Sequence, residues 1–132
     1  MPHTRRTLAL NGNWDLTLDT DTVGGPPGAP TGRLALHEGA WATAQNVANE
    51  CRVFTDDLAF ERERGIPYFL LTLGHKPSPS VLKARLREAA LRVEDVAEVT
   101  GVDLEALDTD TRLVRGEIRC TTMEGEDASA EL

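Results

Sequence analysis

The chain has 132 residues, 40% hydrophobic and 27% charged, which suits one domain that buries roughly two-thirds of its unfolded surface. A formal net charge of -8 argues against general nucleic-acid binding, which needs a basic footprint to displace counterions from phosphate. The start, MPHTRRTLALNGNW, lacks the apolar stretch of a signal peptide, and no run reaches membrane-spanning length. Cys51 and Cys120 are too few for a disulfide scaffold, so both are expected to be reduced, intracellular and packed.

The first element is TLALNGNWDLTLD, residues 7–19, which reads as a hairpin around Asn11-Gly12. A two-residue turn would pair Leu10 with Asn13 and Leu8 with Asp15, mixing apolar and polar on each face. A three-residue loop, Asn11-Gly12-Asn13, pairs Leu10 with Trp14 and Leu8 with Leu16 and leaves one apolar face. That register is the expected one. Next, GGPPGAPTG (24–32) holds three prolines and four glycines, so it is expected to be a linker.

Over 37–54 the apolar residues Trp41, Ala44, Ala48, Cys51 and Phe54 recur at helical spacing, which predicts an amphipathic helix with Trp41 as its largest anchor. The alternation over 58–63 predicts a strand, with Leu58 and Phe60 inward and Glu61 and Glu63 outward. Arg64-Gly65 is the predicted turn, where glycine supplies positive φ. Pro67 opens PYFLLTLG, read as a short helical turn or a strand. Ser78 can cap and Pro79 can open a second helix with the stripe Leu82, Leu86, Ala89 and Val93.

Strands are predicted over 96–107 and 112–122, flanking the turn-forming Asp108-Thr109-Asp110. In the second, Val114, Gly116, Ile118 and Cys120 share one face and Arg115, Glu117 and Arg119 the other, which suits a sheet with one side in water. The expected fold is α+β: two main helices on a small antiparallel sheet, with an N-terminal β-hairpin. By residue number the chain divides into a hairpin extension (1–23), a Gly/Pro-rich linker (24–32), an α+β domain (33–124) and an acidic disordered tail (125–132). Lys83, Arg85, Arg87 and Arg92 form a basic cluster, and Glu124, Glu126, Asp127 and Glu131 an acidic one; both read as solvated faces.

Motifs for chemistry are sparse. Asp19-Thr20-Asp21 hints at a calcium loop, but position five is Val23 and position twelve is Pro30, where oxygen ligands are needed. His3, His37 and His75 lie far apart and the cysteines form no CxxC pair, so no metal or other cofactor is expected. Walker, dinucleotide and nucleophile-elbow patterns are absent. Glu61 and Glu63, i and i+2 on a strand, would stand roughly 6.5 Å apart, within the range of glycosidase pairs. A general acid also needs an apolar wall, and an outward strand face does not supply one.

The order of helix, AFERERGIPYFLLTLGHKPS (59–78), second helix and final antiparallel pair resembles the small baseplate wedge, or sheath-initiator, family of contractile phage tails, with relatives in type VI secretion. The resemblance covers 34–124, and the leading hairpin is similar to one in the Mu-like branch. Family members often carry Glu-Pro-Arg after the second helix, where this chain has Glu94-Asp95-Val96. The family was long labelled lysozyme-like, yet its role is structural.

The resemblance implies a non-enzymatic virion component. It would reside in the tail baseplate after assembly in the host cytoplasm, with the tail sheath protein and other wedge or tube proteins as partners. The strand over 112–122, through Arg112, Val114, Gly116, Ile118 and Cys120, is the expected partner-facing edge, with Gly65 and Pro67 as structural turn residues. Two alternatives stand beside it: a peptidoglycan hydrolase using Glu61 or Glu63, and a regulatory binding protein of the anti-adaptor kind.

Overall fold

A computed structural model describes residues 6–19, 32–68, 78–108 and 113–132. The order is β1 (Arg6–Leu8), β2 (Leu36–Glu38), α1 (Gly39–Arg52), α2 (Pro79–Leu91), β3 (Val96–Asp108), β4 (Leu113–Thr122) and β5 (Asp127–Glu131). β1 pairs with β2, and β3, β4 and β5 form a second antiparallel sheet in that order. This is the α+β architecture expected. The expectations for 20–31, 69–77 and 109–112 fall outside the described residues.

One face of the larger sheet carries both helices, α1 over β5 and α2 over β3. Val47, Ala48 and Cys51 of α1 meet Leu86, Ala89 and Ala90 of α2 above Val99, Ile118, Cys120, Ala128 and Ala130 of the sheet. Gly116, Ile118 and Cys120 point into this core while Arg115 and Arg119 stand in water, as the alternation predicts. Val114, expected on the inner face, is half-exposed at the far end of the strand.

Trp41 is not a core anchor. It is 75% exposed, with its ring against His37 at 5.8 Å. The buried side of α1 is Ala42, Thr43, Val47, Ala48, Glu50 and Cys51, mostly small side chains that let the helix backbone approach the sheet closely. An indole on that face would hold the layers apart.

Two contacts fix α1 at its start. Its N-cap residue, Glu38, makes no side-chain cap bond; instead Glu126, from the β4–β5 turn, accepts the Ala40 N–H at 3.2 Å. A carboxylate there suits the positive end of the helix dipole. Asp95, at the corner where the resembled family carries proline, accepts the Thr43 hydroxyl at 2.7 Å. Its carbonyl takes the Met123 N–H at 2.9 Å, so one residue ties α1 to the β4–β5 turn.

The acidic tail is not disordered. Residues 127–131 form β5, in which Ala128 and Ala130 are buried and Asp127, Ser129 and Glu131 exposed. Composition suggested disorder, but the period-two placement of the alanines gives this stretch a face to bury.

Residues 58–63 do not form the expected strand. The segment after α1 is a series of turns, with Asp56 N–H to Arg62 O at 2.9 Å, Asp57 N–H to Phe54 O at 3.1 Å and Arg64 N–H to Glu61 O at 3.0 Å. Asp57 Oδ2 also accepts the Phe54 N–H, and Asp56 adopts φ 75°. Asp side chains of this kind offer the backbone a local alternative to a ladder. Phe60, expected inward, is wholly exposed. Gly65 has the positive φ expected, 112°. Pro67 follows it, half-buried, and the Tyr68 hydroxyl donates to Cys51 O at 2.6 Å.

The N-terminal hairpin has a three-residue loop, one position later than expected. Asn11 N–H donates to Asp15 O and Trp14 N–H to Asn11 O, each at 2.9 Å, so the loop is Gly12-Asn13-Trp14 and Leu10 pairs with Leu16. The partner moves by two residues, which preserves the leucine face. Nor is the hairpin a separate extension. Residues 33–38 complete it: Ala9 N–H donates to Ala35 O, Ala35 N–H to Thr17 O and Thr17 N–H to Ala9 O, at 2.9, 2.8 and 3.1 Å. Three chain segments thus meet in a closed ring of backbone bonds. Gln45 of α1 fastens the ring, accepting Leu10 N–H at 3.0 Å and donating to Leu8 O at 2.7 Å.

Candidate strand-docking groove

The strand expected to face a partner is the central one. β4 pairs with β3 along its length and with β5 from Glu117 to Thr121. Ile118 and Cys120 are buried, and a Cβ at Gly116 would come within 3.2 Å of Leu104 and Leu132. Arg112 lies outside the described residues. A central strand has spent its backbone groups on both sides, so an added strand cannot use 117–121 of β4. Among the described residues, the free edges are the outer sides of β3 and β5.

Those edges differ. The register of β3 shifts against β4 at three places, between Val96 and Glu98, Val99 and Gly101, and Ala106 and Asp108. Irregularities of this kind twist an edge and guard it against pairing. β5 runs five residues in unbroken register with β4. Its bonding pattern can be read from its two ends: Thr122 N–H donates to Glu126 O and Leu132 N–H to Gly116 O, each at 2.8 Å. Antiparallel pairs alternate, so Ala128 and Ala130 bond inward to β4. The N–H and C=O groups of Asp127, Ser129 and Glu131 point to the open edge.

β5 borders a groove of about 800 Å³, whose other walls are the hairpin tip and α1. Ala40, Ala44 and Ala48 line it at i, i+4 and i+8 of α1, a strip with little side-chain bulk. Leu10 and Trp14 line it from the hairpin, His37 from β2 and Trp41 from the start of α1. The Trp14 wall is held by the Arg52 guanidinium, 3.5 Å above the ring centre. Burial pulls the Arg52 pKa down, countered by the neighbouring Tyr68. The groove therefore joins unpaired backbone on one side to apolar and aromatic surface on the other.

Glu61 and Glu63 lie in a second groove of about 880 Å³, with Asn46, Asn49, Arg64 and Arg92. Glu61 pairs with Arg64 at 2.9 Å, and both carboxylates are exposed, although Val53, Leu58 and Val93 also line this groove. The buried carboxylate nearby is Glu50 of α1. It is 6% exposed and receives Arg64 Nε at 2.8 Å and Nη2 at 2.7 Å. Those bonds push the Arg64 pKa upward. The three residues brace the 54–66 loop against α1.

Among the described residues, no group of three or more His, Cys, Asp or Glu is placed to hold a metal, and no helix is long and apolar enough to cross a membrane. No protein-family model matches the chain, and no curated protein matches it by sequence. Neither β5 nor the groove was marked by a motif. The available signal was the alternation of Ala128 and Ala130 with polar residues.

Proposed function

We propose that the protein is a structural subunit of a contractile-tail baseplate, where it nucleates sheath assembly by accepting an extended segment of the sheath protein as a fourth strand beside β5. The observation that carries this reading is the edge of β5, in unbroken register with β4, opening onto a groove lined by apolar and aromatic side chains. An added strand gains backbone hydrogen bonds from Asp127, Ser129 and Glu131, and the groove supplies pockets for its alternate side chains. The resemblance over 34–124 supplies the tail context, with wedge and tube proteins as further neighbours in the virion. The solvated setting of Glu61 and Glu63 favours this role over wall hydrolysis, which needs one carboxyl kept protonated by an apolar environment.

Reconstitution tests it. The protein is mixed with the sheath and tube proteins of a contractile tail, and particles are viewed by electron microscopy. Ordered sheath rings on tubes are expected only when the protein is present. Sheath assembly indifferent to its presence overturns the proposal, as does release of reducing sugar from cell walls that Glu61→Gln abolishes.

A further inference from the structure

The tripeptides Leu8-Ala9-Leu10, Leu16-Thr17-Leu18 and Leu34-Ala35-Leu36 repeat one pattern, and the closed backbone ring joins their middle residues. The flanking leucines then pair across strands: Leu10 with Leu16, Leu18 with Leu34, and Leu36 with Leu8. Each leucine is two residues from one neighbour along its strand and opposite another, so the six close a cycle. Alternation turns Ala9 inward, where it is 3% exposed, and the leucines outward. Five of them are between 43% (Leu8) and 54% (Leu16) exposed.

Single exposed leucines are ordinary; a closed set of six is not. Half-exposed as they are, they present on the order of 400 Å² of apolar surface, the size at which a patch marks a contact site. They do not line the β5 edge, and only Leu10 borders the groove beside it.

We infer that this leucine ring is a self-association surface, occupied by a second copy of the chain. Charge selects the occupant. The segments that carry the ring hold Arg6 and Arg33 against Asp15, Asp19 and Glu38, nearly neutral in a chain of net charge -8. A basic partner finds little to attract it there, and a like copy meets little local repulsion. At the rim, Arg6 and Glu38 are cross-strand partners, 2.6 Å apart. A two-fold axis through the ring can exchange them, Arg6 of one copy facing Glu38 of the other, as a self-complementary interface requires. Two leucine rings bury about 800 Å² of apolar surface between them, below the range of stable interfaces, so the dimer is weak and reversible. This inference is independent of the strand-docking function.

Sedimentation of the full chain, from micromolar to submillimolar concentration and at low and high salt, tests it. A monomer–dimer equilibrium is expected, strengthened by salt because salt screens the repulsion between two acidic molecules and leaves leucine burial intact. The double variant Leu16→Glu/Leu36→Glu should sediment as a monomer with an unchanged melting curve, and Phe60→Glu, on another surface, should dimerise normally. A wild-type monomer at every concentration overturns the inference, as does a folded double variant that still dimerises. Methyl NMR needs no variant. Dilution shifts confined to the six leucines support the surface, and shifts centred elsewhere refute it.

Discussion

Arg64 grips both carboxylate oxygens of Glu50, at 2.8 and 2.7 Å, and Glu50 is the most buried acid described in the chain. The bridge spans fourteen residues and fastens a loop without regular structure to α1. Arg64→Ala removes the main counter-charge and leaves Arg92, 3.8 Å from Glu50, as partial compensation. The expected loss is about 3 kcal/mol, the low end for breaking a buried pair. Urea unfolding measures it. Glu50→Gln in the same background should recover part of the loss, because no bare charge then remains buried.

Gly65 sits where no other residue fits. Its φ is 112°, and a Cβ there would lie 2.7 Å from both the C and O atoms of Phe54. Gly65→Val combines backbone strain with a collision against main chain that Ile66 pins to Val53 at 2.9 Å. A loss of about 2–4 kcal/mol is expected. A variant melting within a degree of wild type would show that the loop repacks freely.

Trp41 and Leu86 separate appearance from burial. Leu86→Ala should cost about 2–5 kcal/mol, since Leu86 is 3% exposed in the core. Trp41→Ala, at a wet site, should cost under about 1 kcal/mol. Equal losses for the two, measured by thermal unfolding, would place Trp41 in the core after all.

Stability should fall in alkali. Burial lifts the Cys51 thiol from 9.0 to about 12, helped by the charge of Glu50, and lifts the Tyr68 hydroxyl from 10.0 to about 12. Both folded values exceed the unfolded ones, so the stabilisation is complete below pH 9. It is lost as pH climbs towards 12, with a slope of at most about 1.4 kcal/mol per pH unit for each group. Cys51→Ala should flatten the wild-type decline in melting temperature from pH 9 upward, and Tyr68→Phe from pH 10. An unchanged slope in both would remove burial as the cause.

Periodicity made much of this fold legible. The stripe Leu82, Leu86 and Ala89 marks α2, with Val93 buried just past its end, and the alternation through Gly116, Ile118 and Cys120 marks β4. What stayed hidden depended on contacts distant in sequence. Trp14 holds φ 65° at the loop position where the β4–β5 turn has Gly125 at 84°, and only the Arg52 stack on its ring shows how an indole is kept there. Asn11-Gly12-Asn13 was therefore the better local match and the wrong loop. The groove was hidden for a similar reason. Its edge strand carries three polar residues and two alanines, and acidity masked the alternation.

The edge itself can be tested by removing one N–H. Ser129 lies in the middle of β5 opposite Arg119, in a pair whose backbone groups point away from β4. Ser129→Pro therefore deletes a backbone donor only at the open edge, where proline is tolerated, together with the exposed hydroxyl bond from Ser129 to Glu117 at 2.7 Å. It also holds Ala128 extended, as β5 already does. The variant should melt close to wild type yet fail to order sheath rings. Ala130→Pro is the counterpart. Ala130 is 3% exposed and opposite the buried Ile118, so its proline costs an internal ladder bond and should unfold β5. If Ser129→Pro folds and nucleates sheath as wild type does, strand addition at β5 is not the mechanism. If it folds and fails while Ser129→Ala, which loses the same hydroxyl bond to Glu117 but keeps the N–H, succeeds, the missing backbone donor is the cause.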